Sequence, residues 1–334
     1  MSDSPKAVSL VIPGRDCVET LRPCLNAVLP LLDGPHLQEI IFVDDGSVDG
    51  SGDLARELGV RVLMGPGKGA GFARNLGWRQ CQSPLVWFVD SDCVSEPDAL
   101  DLLMPLMATD EVAAVGGSYG NMRPDRILSC LIHEEIIARH LKMSKEVNFL
   151  ATFNVLYRRD VLEQVGGFDP RFVKAQDAEL AFRVGAEGHT LCFERRSQVK
   201  HFHLADMLRY FKVQRQQGYW RAWLYRAHPD HSSGDSYSNV LDHLQPPLGL
   251  AVTLGLIFPL FGPVGWGLET VLVTALLACQ APMTFRLIRR TGQLRYLAFA
   301  PMSAIRSAYR GVGFVHGIAA IVARRWFKPE QAEL

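Results

Sequence analysis

The sequence has no CxxC pair, no internal repeat, no low-complexity tract and no excess of charge of either sign. Its seven cysteines (Cys17, Cys24, Cys81, Cys93, Cys130, Cys192 and Cys279) are scattered and odd in number, which argues against a zinc knuckle or a disulfide framework and fits a reducing cytosol. Lys plus Arg and Asp plus Glu both number 35. A net charge of zero gives no global attraction to nucleic acid or to an acidic polymer, so any function based on charge must be local. A hydrophobic leader is also missing: Met1 to Lys6 is polar, and the first apolar run, Val8 to Ile12, is far shorter than the ~7 to 15 residues of a signal-peptide core. The N-terminal part is therefore expected in the cytoplasm.

What is present reads as one large α/β domain with an appendage, or as two domains, as 334 residues allow. Short apolar runs at Ala7–Ile12, Glu39–Val43, Val60–Met64, Leu85–Val89 and Val112–Gly116 look like buried strands. Helical spacing recurs between them, at Val18 to Leu32, Ser51 to Leu58 and Gly69 to Gln80, and Pro23 is tolerable only near a first turn. Strand, helix, strand in succession predicts a mostly parallel sheet with helices on both faces. Arg123 to Arg196 reads as the acceptor half of the same domain, a further helix is expected from about Leu204 to Tyr225, and the catalytic domain should span 1–227.

A polar linker is expected at 228–245, followed by a membrane region at 246–334. Pro246 to Phe285 is apolar for about twice the length of one span, broken by Glu269 and by a Pro/Gly-rich middle, so two helices of about 20 residues would cross a bilayer of ~30 Å. Arg286, Arg289, Arg290 and Arg295 follow and the middle break has no Lys or Arg, which places both ends of this transmembrane hairpin in the cytoplasm. The alternative is a buried helical hairpin in a soluble protein. Tyr296 to Ala323 carries Arg306, Arg310 and His316 in an apolar background, with Gly313 and Gly317 spaced for close packing. It reads as an interfacial or re-entrant helix over about 296–323 rather than a third span.

Three strand ends concentrate unusual residues: Pro13-Gly14-Arg15-Asp16, Asp44-Asp45-Gly46-Ser47 and Asp90-Ser91-Asp92. In a parallel sheet these ends share one edge, where ligands of open α/β sheets bind. Carboxylates gathered there repel one another unless a divalent cation or polar ligand groups compensate them. Asp90 and Asp92 stand at alternate positions of an extended segment, so both side chains point the same way and can grip one hard cation.

These segments carry a resemblance. Val11-Ile12-Pro13, Val43-Asp44-Asp45-Gly46-Ser47, Gly69 to Gly77 and Phe88 to Cys93 occur in the order and at the spacing of family 2 glycosyltransferases, which have the GT-A (Rossmann-like) fold. Gly166-Gly167-Phe168-Asp169 and Gln176 to Arg183 are similar to that family's GGFD and EDxELxxR segments. The resemblance covers roughly residues 7 to 225.

It implies an inverting transfer of a sugar from a nucleotide-diphosphate sugar to an acceptor hydroxyl, on a lipid-linked or cell-envelope glycan. Asp44 and Asp45 would hold the nucleoside, together with Pro13, Asp16, Ser47 and Ser91 around the donor, and Arg74 would approach the diphosphate. Asp92 would be the main ligand of a divalent cation, Mn or Mg, with Asp90 helping toward metal or ribose. His201, preferred over His203, would contact the metal. Asp177 would be the catalytic base, although Gln176 stands where the family usually has Glu. Gln217 to Arg221 is close to a processive-synthase signature but has its last two residues reversed; Tyr219, Trp220 and Trp223 serve sugar stacking, the membrane interface or helix packing. The implied site faces the cytoplasm at the inner membrane, with no nucleic-acid partner. Two other readings are a sugar nucleotidylyltransferase, whose Gly-rich basic loop is missing after the first strand, and a membrane scaffold that keeps the pocket without turnover.

Overall fold

A computed structural model describes residues 7–232, 234–238 and 240–323. Among them, 7–122 together with 143–202 form one compact unit, and 123–142 together with 203–323 form another. The division differs from the expected domain at 1–227: the segment 123–142 and the helix after Phe202 belong to the second unit.

The first unit is built on a nine-stranded sheet of β1 (Val8–Gly14), β2 (Leu37–Asp44), β3 (Arg61–Met64), β4 (Leu85–Val89), β5 (Cys93–Ser95), β6 (Val112–Asn121), β7 (Glu146–Val147), β8 (Asn154–Arg158) and β9 (Thr190–His201). Their order is β3-β2-β1-β4-β8-β6-β9-β5, with β7 on β9. The sheet is mixed. β1 to β4 pair in parallel, whereas β8 runs antiparallel to both β4 and β6. Apolar runs buried on both faces look alike in either direction, so burial patterns report a strand without its sense.

Alternation along each strand feeds two cores. Leu10, Ile12, Phe42, Trp87 and Val89 face one layer, with Leu21, Leu25 and Val28 of α1 (Val18–Val28) and Leu54 of α2 (Ser51–Glu57). Val11, Ile41, Val43, Val86 and Phe88 face the other. There they meet Ala73 and Trp78 of α3 (Ala70–Trp78), Val161 and Leu162 of α6 (Arg159–Val165), and Leu180 and Val184 of α7 (Gln176–Ala186). The first layer also takes in α4 (Ala99–Leu103). Pro23 falls in the second turn of α1 rather than its first, at the cost of one backbone hydrogen bond.

The second unit contains α5 (Ile127–His140), α8 (Met207–Ala227), α9 (Val240–Gly255), α10 (Pro263–Thr291) and α11 (Phe299–Val322). Gly313 and Gly317 of α11 lie against backbone carbonyls of Arg215 and Tyr219 on α8, and Gly218 of α8 lies against the Arg310 carbonyl, so a Cβ at any of the three would collide. Tyr219 touches the rings of Trp220, Trp223 and His316, which makes these aromatics helix packing. Buried charges tie the helices further. Arg306 donates to Glu135 Oε2 (2.5 Å) and Oε1 (3.1 Å), and Arg139 donates to Glu135 at 2.8 Å and to both Asp242 oxygens at 2.7 Å.

The expected linker and hairpin are both altered. A helix already begins at Val240, inside 228–245, because Asp242 and His243 are held by Arg139 and Tyr225 instead of lying in solvent. The 16 residues of α9 reach only ~24 Å, short of a ~30 Å hydrocarbon layer. Among the described residues one helix, α10, is long and apolar enough to cross a membrane.

Candidate active site

The carboxyl ends of β1, β2 and β4 lie side by side, where the chain order of the sheet reverses around β1. The loops leaving β1 and β2 brace each other. The Asp16 N–H donates to Ser47 Oγ (3.0 Å), the Val48 N–H donates to Asp16 Oδ1 (2.8 Å), and the Cys17 N–H donates to Ser51 Oγ (3.0 Å). Asp16 has φ 48°; with Ala175 (φ 59°) it is one of two non-glycine residues at positive φ among those described, and both lie in loops of this site.

Asp44 and Asp45 are buried at the end of β2 but differ in use. Asp44 Oδ1 accepts the Ser47 N–H at 2.8 Å. Asp45 accepts three backbone N–H groups, from Gly67 (2.9 Å), Lys68 (3.2 Å) and Gly69 (2.6 Å). The glycine-rich turn before α3 therefore spends these amides on Asp45, and recognition of a phosphate group passes to side chains.

Arg74 is suited to that task. Placed on α3 and only 4% exposed, it donates from Nη2 to Asp90 Oδ1 at 2.5 Å. Its Nε and Nη1 are buried with no partner, a costly state for charged donors. Its guanidinium also stands 5.6 Å from the centre of the Phe168 ring. Asn75 fixes that ring's backbone, exchanging hydrogen bonds with Phe168 N–H (2.9 Å) and C=O (2.7 Å).

Asp92 meets His201 because β5 pairs antiparallel with β9 in the register Cys93↔His201, reinforced by the Phe202 N–H donating to the Asp92 carbonyl at 2.9 Å. His201 Nε2 comes within 3.2 Å of Asp92 Oδ2. Asp92, Cys93 and His201 form a group whose donor atoms lie within 4.8 Å of one another. Burial pushes the Cys93 thiol well up, with the charges of Asp92 and Asp90 adding to it, so it stays a protonated thiol and the fitting donors are the carboxylate and the imidazole. His203 is buried elsewhere, in the second unit beside His133. Burial raises the Asp90 carboxyl; Arg74 opposes this and the neighbouring Asp92 charge adds to it. A cation here would relieve that repulsion.

Asp177 lies in the first turn of α7, where its Oδ1 accepts the Ala178 N–H at 2.9 Å. Gln176 is buried with Oε1 unpartnered against Gly71, and a side chain at position 71 would strike it. Glu179 and Arg183 of the same motif are structural: Arg183 bonds both Glu179 oxygens (2.6 and 2.7 Å) and the carbonyls of Val165 (2.5 Å) and Gly167 (2.6 Å), fixing the Gly166–Asp169 turn. Pro13 is buried in β1 and Ser91 is buried between the two acids. Sequence reasoning missed Lys174. Burial pushes its ammonium down, and Asp90, Arg74, Asp177 and Asp92 all act on it, so it belongs to this cluster. It falls between motifs and only the fold brings it in.

The profile of glycosyl transferase family 2 matches residues 9–166. Glycosyltransferase AglE of Haloferax volcanii is 26% identical over 200 residues, 58% of this chain and 66% of that protein. The probable glycosyltransferase YdaM of Bacillus subtilis is 29% identical over 211 residues, 58% of this chain and 50% of that protein. The chain thus spans about half to two thirds of the length of these curated relatives. Among solved structures, the mannosyltransferase PcManGT of Pyrobaculum calidifontis, in complex with GDP-Man and Mn2+, superposes with a TM-score of 0.60 at 16% identity, covering 95% of this chain and 88% of that one. Glucosyl-3-phosphoglycerate synthase of Mycobacterium tuberculosis gives 0.50 at 18% identity, over 66% of this chain and 78% of that one. Over residues 9–166, in its N-terminal unit, this chain thus matches glycosyl transferase family 2, and its fold is the GT-A fold.

Proposed function

We propose that the chain transfers a sugar, with inversion, from a nucleotide-diphosphate sugar to an acceptor hydroxyl, assisted by Mn or Mg. The observation that carries this reading is the convergence on one sheet edge of Asp90, Asp92 and His201 with Arg74, whose two spare guanidinium donors await an anion. Arg74 binds diphosphate oxygens, Asp44 faces the nucleoside, and Asp45 shapes that part of the site by holding the turn Gly67–Gly69. Asp92 and His201, with Asp90 beside them, would hold the cation, which supplies charge stabilisation on the departing diphosphate. Asp177 accepts the proton of the acceptor hydroxyl; one base without a nucleophile gives single displacement. Structural neighbours bound to GDP-Man or UDP and Mn2+ support the donor class and the metal.

The acceptor is proposed to be a lipid-linked or cell-envelope glycan, and the enzyme to sit at the cytoplasmic membrane with its site on the cytoplasmic side. Support comes from α10, which is inverted relative to a helix of a water-soluble protein. Its buried residues include Glu269 (8% exposed), Gln280 (1% exposed) and Thr284, while Trp266, Leu268, Val271 and Phe285 face outward. Polar side chains turned inward and apolar ones outward suit a lipid surrounding. Purified full-length chain should show Mn-dependent hydrolysis or transfer with one of UDP-, GDP-, dTDP- or CDP-sugars. Asp177→Asn should stop transfer and leave nucleotide affinity intact. Nucleotide binding without turnover on a broad acceptor panel would instead support a scaffold.

A further inference from the structure

Between Thr270 and Ala323 the sequence holds six arginines and no acidic residue. Three are satisfied within the second unit: Arg290 pairs with Glu134, Arg306 with Glu135, and Arg310 donates to Gln214 (2.8 Å) and Gln217 (3.0 Å). Among the described residues Arg286, Arg289 and Arg295 meet no carboxylate, and Arg289 and Arg295 are exposed. Lys142, just past α5, joins them: burial, then the charges of Arg286 and Arg139, push its ammonium down, with Asp242 opposing. Among the described residues no ion pair neutralises these four cations, and only the Asp242 carboxylate acts on Lys142.

The position of these cations relative to α10 is informative. From Trp266 (62% exposed) to Phe285 (66% exposed) the helix advances ~28 Å at ~1.5 Å per residue, close to a ~30 Å hydrocarbon layer. Arg286 follows immediately, so the cations begin where the hydrocarbon would end. Exposed Phe285, Leu294 and Leu297 are interleaved with them, as in a surface that meets headgroups and acyl chains together.

We propose that Arg286, Arg289, Arg295 and Lys142 form a docking surface for anionic phospholipid headgroups. This rests on the membrane reading above and adds the class of lipid. A guanidinium pairs with a phosphodiester through two hydrogen bonds, but a phosphocholine headgroup brings its own cation; four unneutralised charges therefore select net-negative lipid.

The test uses the full-length chain in a neutral detergent, titrated with phosphatidylglycerol, with phosphatidylcholine and with inorganic phosphate. Binding is followed by native mass spectrometry. Each basic side chain near an anionic surface contributes roughly fivefold, so Arg286→Gln/Arg289→Gln/Arg295→Gln should bind phosphatidylglycerol on the order of a hundredfold more weakly. The corresponding triple Lys variant should keep most of the affinity, and a nucleotide-induced thermal shift should persist in both as a check of folding. Equal binding of the two lipids, retained affinity in the triple Gln variant, or inorganic phosphate binding as tightly as the lipid overturns the proposal. Carbonate extraction of native membranes separates the two readings: release of the wild-type chain removes the membrane reading itself, whereas retention with indifference to lipid charge removes only the docking surface.

Discussion

Arg74 should separate stability from function with opposite signs. In the ligand-free protein its guanidinium has one partner, Asp90, and two buried donors without any. Two unpaired buried donors cost ~1 to 3 kcal/mol each, while the charge-assisted bond contributes ~1.5 to 3 kcal/mol and its loss also leaves Asp90 unpaired, so Arg74→Met removes terms of opposite sign and similar size. Its apo melting temperature should stay close to wild type. Nucleotide binding should not, because two charge-assisted bonds to phosphate disappear, at least about 3 kcal/mol or roughly a hundredfold in Kd. At a ligand concentration of about 100 wild-type Kd, the nucleotide stabilises wild type by ~2.7 kcal/mol and a hundredfold weaker variant by only ~0.4 kcal/mol. Differential scanning fluorimetry with Mn and the preferred nucleoside diphosphate reads both quantities in one experiment. Arg74→Lys should fall between them, since it keeps the charge and loses the fork. A Met variant with an undiminished nucleotide shift would refute the role given to Arg74.

Other outcomes follow from the same geometry. Asp92→Asn and His201→Gln should each weaken Mn activation at least about tenfold and leave the apo melting temperature nearly unchanged, as Mn titrations of activity would show. Asp45→Ala strands three backbone donors of Gly67–Gly69 and should lower stability by about 1 to 3 kcal/mol while also weakening nucleotide binding, measurable by denaturant unfolding and calorimetry. Glu135 makes a pH prediction. Burial alone would raise its carboxyl, but Arg306 and Arg139 outweigh burial and hold it well below its usual 4.5. A depressed carboxyl contributes stability that is fully present above its unfolded pKa and is lost as pH falls through the folded one, so this contribution should be flat from pH 8 to about 5 and decline only in stronger acid. Glu135→Gln, which leaves Arg306 buried without its counter-charge, should cost about 3 to 5 kcal/mol at pH 7 in a thermal melt.

Most of the sheet-edge chemistry was legible because its determinants are local in sequence. A buried apolar run followed by acids marks a strand end, and three such marks named β1, β2 and β4. Long-range pairing was less accessible. That Cys93 registers with His201, bringing the latter to Asp92, depends on β9 returning antiparallel beside β5, and no periodicity encodes that return. Resemblance chose His201 over His203; the register gives the choice a physical cause. Asp45 is a second case. It lies at the sheet edge beside Asp44, and three amides of the Gly67–Gly69 turn occupy its carboxylate, a contact that no local motif encodes. Lys174 carried no motif and enters only through the loop that also presents Asp177.

The C-terminal helices differ in length from the expected hairpin, and one cause explains the difference. Hydropathy sums a segment without asking which side chains face which way, so Pro246 to Phe285 read as two equal spans. In three dimensions the polar start of α9 is tied down by Arg139 and Tyr225, which draws helix out of the supposed linker and leaves α9 too short to span. On α10, Glu269, Gln280 and Thr284 fall on one inward face, and the outward face is left almost wholly apolar. Glu269, the acid that interrupted the hydropathy pattern, is thus hidden from the surroundings. Under the proposed membrane reading those apolar side chains would face lipid and need no cover. Glu269 therefore does not count against a membrane span, because the side chain that interrupts the run is folded inward against Gly255 and never meets the outer surface.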